Sequence, residues 1–137
     1  MGKIFCFLLA AVLVTGCTKK TADESSPYGN ILQFGTGISI SNITDLTGIT
    51  TTFNPNAIIY FRLESVDNQG SSPIRIQVDK QDGTAYHTFD YPASQGNGHV
   101  FLSYFTIADA GSYTVTGIIT TGNITVATQS LTIRAGK

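Results

Sequence analysis

The sequence is poor in sulfur, charge and tryptophan, and each shortage excludes something. Its two cysteines are Cys6 and Cys17, and Cys6 lies inside an apolar N-terminal run, so a domain formed downstream has no cysteine pair to oxidise. Such a domain has to be held by its core alone, which about 100 residues of β-sandwich can supply. Charged residues are 12% of the chain, against roughly 25% in an average soluble domain, and the net charge is −1. That balance gives no electrostatic footprint for a phosphate backbone, so no nucleic-acid partner is expected. The apolar run Ile4–Val14 is too short for a permanent spanning helix, which takes about 20 residues. One methionine and few straight-chain helix formers stand beside 19 threonines and 15 isoleucines. Residues stiff at χ1 pack well on a pleated surface, so the composition favours strands.

The N-terminus reads as an address. Met1-Gly2-Lys3 is a short basic start, Ile4–Val14 is the apolar run, and Thr15-Gly16 are small residues before Cys17; these are the three parts of an export signal. Val14-Thr15-Gly16-Cys17 also resembles the lipobox of bacterial lipoproteins. The resemblance implies cleavage after residue 16, with Cys17 as the new N-terminus carrying acyl chains such as palmitate. More than one chain gives stable anchoring, at about 0.8 kcal/mol per buried methylene. The polar stretch Thr18–Asn30, with Lys19-Lys20, Asp23-Glu24 and Ser25-Ser26-Pro27, reads as a disordered tether. The organisation expected is a signal peptide over 1–16, an anchor and tether over 17–33, and one domain over 34–137.

From about Phe34 the chain reads as strands and turns. Gly37–Ile43 is an edge-like segment carrying Ile38, Ile40 and Ile43. Ala57–Ser65 places Ile59, Phe61 and Leu63 on one face, which should meet the core, and Ile74, Ile76 and Val78 alternate with Arg75, Gln77 and Asp79. Asp79–Gly83 closes that run as a turn. Thr84–Tyr91 returns as an outer strand, with Ala85, His87, Phe89 and Tyr91 on one face and Tyr86, Thr88 and Asp90 on the other. Ser94–Gly98 is a flexible break before Val100–Ile107, where Phe101, Ser103, Phe105 and Ile107 share a face. Ser112–Thr120 pairs with Ile124–Arg134 through the Thr121-Gly122-Asn123 turn. On the last strand Ile124 and Val126 differ in parity from Leu131 and Ile133, so a bulge is predicted between about Ala127 and Ser130.

About seven short strands with no helical period beyond the signal predict an all-β fold, an antiparallel two-sheet sandwich. Asp109-Ala110-Gly111-Ser112-Tyr113-Thr114-Val115 resembles the Asp-x-Gly-x-Tyr-x-Cys segment of immunoglobulin-like domains, with Val115 at the cysteine position. The cysteine pair and the tryptophan of antibody-type domains are missing, so disulfide-free Ig-like or fibronectin-like modules are the better comparison. The resemblance implies a structural tyrosine corner formed by Asp109, Gly111 and Tyr113, with the Tyr113 hydroxyl bonded to backbone upstream.

Few residues suggest chemistry. His87 and His99, with Asp82 and Asp90 nearby in sequence, lack ligand spacing for a metal, and no cofactor is expected. There is no Gly-x-Ser-x-Gly elbow. Asp79 and Asp82 could approach a Ca²⁺, but Asp and Gly are also what a hairpin turn demands. Asn42-Ile43-Thr44 and Asn123-Ile124-Thr125 match a glycosylation pattern and read as turn or strand-edge residues. Tyr60, Tyr86, Tyr91 and Tyr104 could form an aromatic strip, or pack across strands. The expectation is a non-enzymatic, exported bacterial lipoprotein, anchored through Cys17 at the outer membrane or cell surface, binding a protein or envelope partner or acting as a structural module. The alternative is a small envelope enzyme or ligand-binding protein with its site on loops at one end, such as Ser94–Gly98 beside Asp79–Gly83.

Overall fold

The period-two runs of the sequence fold as strands whose apolar faces meet across one core. The computed structural model describes residues 26–92 and 98–136. Its strands are β1 (Ile31–Gly35), β2 (Gly37–Ile38), β3 (Leu46–Thr47), β4 (Thr52–Phe53), β5 (Ile59–Glu64), β6 (Ile74–Lys80), β7 (Ala85–Tyr91), β8 (Val100–Phe105), β9 (Gly111–Ile119) and β10 (Ile124–Ile133), and no helix occurs among the described residues. One sheet has the order β1-β5-β8, the other β4-β10-β9-β6-β7, and β2 and β3 form a small hairpin of their own. This is an all-β, two-sheet sandwich of immunoglobulin-like order, its framework being the seven strands of five or more residues, β1 and β5 to β10. One pairing departs from the antiparallel expectation: β4 runs parallel to β10, with Thr52 opposite Thr132 and Phe53 opposite Ile133. The chain reaches it by crossing from the first sheet to the edge of the second, which buries Phe53.

The core sits between the sheets. Ile59, Phe61 and Leu63 on β5 and Ile74, Ile76 and Val78 on β6 are fully buried, as their alternation predicts. Phe61 lies at the centre of an aromatic cluster, with ring centroids 5.3 Å from Tyr91, 5.9 Å from Phe101 and 6.0 Å from Phe105. Tyr113, Val115 and Ile119 on β9 and Leu131 and Ile133 on β10 complete the opposite wall. At one end of the sandwich the links between strands are laced together: Ser65 N–H donates to the His99 carbonyl, Gln69 N–H to Gly98 and Thr120 N–H to Pro73. The other end carries the β6–β7 turn, where Lys80 N–H donates to Thr84 and Gln81 N–H to Ser112.

Four expectations need correction. The domain begins at Ile31, not residue 34, because β1 pairs with β5 over its whole length and buries Leu32 and Phe34. Residues 31–33 therefore belong to a strand and not to the expected tether.

The strand expected over Gly37–Ile43 stops at Ile38, and Ile40 and Ile43 point away from the protein at 100% and 76% exposure. Ser39 Oγ accepts the N–H groups of Ser41 and Asn42, and Asn42 Oδ1 accepts that of Thr44. These side chains offer the backbone an alternative to a ladder, and the strand turns back.

The bulge on β10 falls earlier than predicted, between Thr125 and Ala127. Val126 is the inserted residue and is buried, whereas Ile124 remains 38% exposed, so only one of that pair needed the core. A further irregularity lies between β6 and β7: Val78 faces His87 and Asp79 faces Ala85. Tyr86 is the extra residue and joins Phe89 and Tyr91 against the core, while Ala85 and His87 lie outside. A strict alternation could not place Tyr86 and Phe89 on one face; the bulge does.

Candidate functional site

The segment leading into β9 sits at the β6–β7 end. Tyr113 is buried by alternation on β9, and its hydroxyl donates to the Asp109 carbonyl at 2.7 Å. Gly111, between them, has φ +151°, a conformation that side-chain-bearing residues rarely adopt. The Tyr86 ring meets Tyr113 edge-on at 5.1 Å, and its hydroxyl donates to Asp109 Oδ2 at 2.9 Å. Asp109 thus accepts two phenols, one on its carbonyl and one on its carboxylate. Burial, with the facing Tyr86 and Asp109, raises the Tyr113 phenol above its ordinary value. Burial and the Asp109 carboxylate raise that of Tyr86. Both hydroxyls therefore stay protonated donors at neutral pH, suited to fastening the loop rather than to accepting protons.

The four tyrosines do not make one strip. Tyr60 and Tyr104 are opposite one another on the outer face of the first sheet, with centroids 6.0 Å apart. Tyr91 instead turns to Phe61 and Phe101, and its hydroxyl donates to the Tyr104 carbonyl at 2.6 Å, bridging the two sheets. Burial, with the neighbouring Tyr104, pushes the Tyr91 phenol far above its usual range.

The two histidines are also apart in role and place. His87, on the edge strand β7, meets Phe89 edge-on at 4.5 Å. His99 stacks flat on Tyr28 at 4.3 Å, and its Nδ1 lies 3.0 Å from the Ser65 carbonyl. In that contact Nδ1 carries the proton and donates to the carbonyl. Among the described residues no three His, Cys, Asp or Glu side chains come together as metal ligands would. Asp82 Oδ1 accepts the Thr84 N–H at 2.8 Å, and Thr84 holds its carboxyl below the ordinary value. Asp79 Oδ2 accepts from Gln77 Nε2. Gly98 lies at the end of the sandwich opposite Asp79–Gly83, so the paired-loop site is split by the fold. Residues 94–97 of that loop lie outside the described residues, as do the expected signal peptide over 1–16, Val14–Cys17 and the expected tether up to residue 25.

A polar relay that pattern reading did not identify fastens the N-terminal end. Glu64, on the outer face of β5 and nearly buried, accepts the Gly29 N–H on Oε2 at 2.7 Å. Its Oε1 accepts from Arg62 Nη1 at 2.6 Å, and Arg62 Nε donates to the Thr44 carbonyl at 2.7 Å. Burial by itself would raise the Glu64 carboxyl, but the Gly29 N–H and the Arg62 guanidinium outweigh it and leave the value lowered. Asn30 Oδ1 adds a bond from the Val66 N–H. The only hint in sequence was an Arg and a Glu at i and i+2 of a strand, which share a face but do not announce their distant partners.

The surface carries several open depressions. One of about 280 Å³ is lined by Gln69, Ser72, Ile119 and Thr121, another of about 410 Å³ by Tyr86, His87, Phe89 and Thr106. Beside the first, Gln69 is buried and donates from Nε2 to the Leu63 and His99 carbonyls, while its Oε1 accepts no bond from the described residues.

Fold and geometry define an immunoglobulin-like sandwich whose notable polar side chains fasten loops and edges. No protein-family model matches the chain, and no curated protein matches it either. Among solved structures the chain is similar to the soluble domain of PmoD from Methylocystis sp. ATCC 49242 (Rockwell), with a TM-score of 0.43 and 10% identity, covering 75% of this chain and 89% of that one.

Proposed function

We propose that the chain is an exported bacterial lipoprotein, acylated on Cys17, whose Ig-like sandwich is a non-catalytic binding, adhesion or structural module of the cell envelope. The observation that carries this reading is the Val14-Thr15-Gly16-Cys17 sequence at the end of the apolar run Ile4–Val14, followed by polar residues and then a sandwich. The use of side chains supports it. The hydroxyls of Tyr86, Tyr91 and Tyr113, the Glu64 carboxylate and the His99 ring all engage backbone or neighbouring side chains that hold the fold together. A lipid-anchored spacer or adhesion module needs only an anchor, a tether and a stable sandwich, with its partner a protein or envelope polymer.

The test is protease digestion of intact and then permeabilised cells, comparing the native protein with Cys17→Ala and fractionating membranes from both. The native protein is expected in the membrane fraction and the variant outside it. Cleavage on intact cells marks surface display, and cleavage only after permeabilisation places the partner inside the envelope. A Cys17→Ala variant that still fractionates with membrane overturns the anchor.

A further inference from the structure

The β2–β3 hairpin ends in two isoleucines that touch little of the protein. Ile40 is fully exposed and Ile43 is 76% exposed, although a soluble surface gains nothing from large apolar side chains held into water. We propose that this tip, Ile40 with Ile43, is a second membrane contact that seats the sandwich on the lipid surface holding Cys17. The proposal rests on the anchor reading above and adds to it an orientation and a pair of contact residues.

Three observations carry it. The first is place. The Thr44 carbonyl next to Ile43 is bonded to Arg62, Arg62 to Glu64, and Glu64 to the Gly29 N–H, so one ion pair ties the tip to the segment arriving from Cys17. Cys17 and Gly29 are twelve residues apart. That length spans about 20 Å as a coil and at most about 43 Å when extended. An acylated Cys17 therefore confines the tip to the neighbourhood of the bilayer, where a contact too weak to bind alone becomes an intramolecular one.

The second is the state of the backbone. Groups entering an apolar medium have to be satisfied internally. At the tip the N–H groups of Ser41 and Asn42 are taken by Ser39 Oγ, and that of Thr44 by Asn42 Oδ1. The N–H groups of Asp45 and Ser39 are taken by the Asn42 and Asp45 carbonyls. With these five N–H groups taken, the turn presents its apolar side chains outward and is a poor template for strand addition and a better one for shallow insertion.

The third is charge. Asp45, the carboxylate nearest the tip in sequence, accepts from Asn42 Nδ2 at 2.8 Å and lies 3.9 Å from Arg62 Nε, so the guanidinium that also pairs with Glu64 draws it toward the protein side.

The chain has no tryptophan, which makes the test direct. Ile40→Trp and, as a control on the β6–β7 turn, Asp82→Trp are made in the chain from Cys17 onward, which holds no other cysteine. Each is coupled through the Cys17 thiol to a maleimide-headgroup lipid in phosphatidylcholine vesicles with brominated acyl chains. The Ile40→Trp emission is expected to shift to the blue and to be quenched several-fold more strongly than that of Asp82→Trp. Equal, water-like emission and equal quenching of the two overturn the proposal. A blue shift without bromine quenching, growing with protein density, also overturns it, in favour of contact between copies of the chain. Mass measurement of the native protein extracted from cells is made alongside. Absence of acyl chains on Cys17 defeats the anchor reading, while the vesicle result still decides whether the tip meets lipid.

Discussion

Gly117 on β9 lies directly against Leu63 on β5, across the two sheets: a methyl group at position 117 would stand 2.5 Å from Leu63 Cδ1. The sheets approach closely there because β9 has no side chain to interpose, and Leu63, fully buried, fills the space. Gly117→Ala is expected to destabilise the fold by about 1–3 kcal/mol, the usual cost of overpacking a core. Leu63→Val shortens the opposing side chain, so the double variant should unfold at higher urea than the sum of the two single effects requires. Strict additivity in urea titrations of the four chains would show that the two positions do not meet.

Tyr113→Phe keeps the ring against Tyr86 and the core but removes the donor to the Asp109 carbonyl. The loss is expected to be about 0.5–1.5 kcal/mol, the net worth of one such bond. Tyr113→Ala also deletes the ring and should cost about 3–5 kcal/mol, as other large aromatic truncations in cores do. The ratio of the two, read from denaturation midpoints, separates the hydroxyl's contribution from that of the ring. Equal losses would place the whole effect in the hydroxyl and contradict the packing seen here.

The central strands were legible because burial on one face writes a period of two. Ile59, Phe61, Leu63 and Ile74, Ile76, Val78 could be assigned from alternation, and Asp109-x-Gly-x-Tyr pointed to the corner at the start of β9. What pattern could not reach were the departures from that period. The bulge at Tyr86 turns three aromatic residues inward that alternation divides between two faces. Ile31–Gly35 was hidden behind a polar leader, since five residues are too few to display a rhythm. Ile40 and Ile43 look like strand residues until Ser39 and Asn42 are seen capturing the backbone. The Thr44–Arg62–Glu64–Gly29 relay joins positions up to 35 apart, and such partnerships leave no local trace.

Glu64 gives the acid limb of stability a structural source. An ordinary glutamate titrates near 4.3 in the unfolded chain, whereas the folded value is lowered by Gly29 and Arg62 against the opposing effect of burial. Between the two values the unfolded state binds more protons, so stability rises with pH there. The contribution is complete above about pH 5 and is lost as pH falls through the folded value. Glu64→Gln should cost about 1.5–3 kcal/mol at neutral pH, the range for hydrogen bonds to a charged group, and flatten the acid limb. Urea midpoints measured from pH 3 to 7 test this. A variant whose midpoint falls with acid as steeply as the parent's would assign the dependence to other carboxylates.

Tyr91 governs the opposite limb. Its phenol bridges the sheets to the Tyr104 carbonyl, and burial together with the neighbouring Tyr104 raises it far above the ordinary value near 10. A raised folded value means that the stabilisation is fully present below the unfolded one and is lost as pH rises through the folded one, since the unfolded chain gives up the proton first. Tyr91→Phe retains the contacts with Phe61 and Phe101 and removes the bridge. At neutral pH it should lose about 0.5–1.5 kcal/mol. Above about pH 10 the parent's stability should fall and the variant's should fall less, so that the two curves converge. Tyr86 and Tyr113, also raised, keep some alkaline dependence in the variant. The measurement is the urea midpoint from pH 7 to 11 for both chains, and parallel curves would mean that the Tyr91 hydroxyl is as easily ionised in the fold as in water.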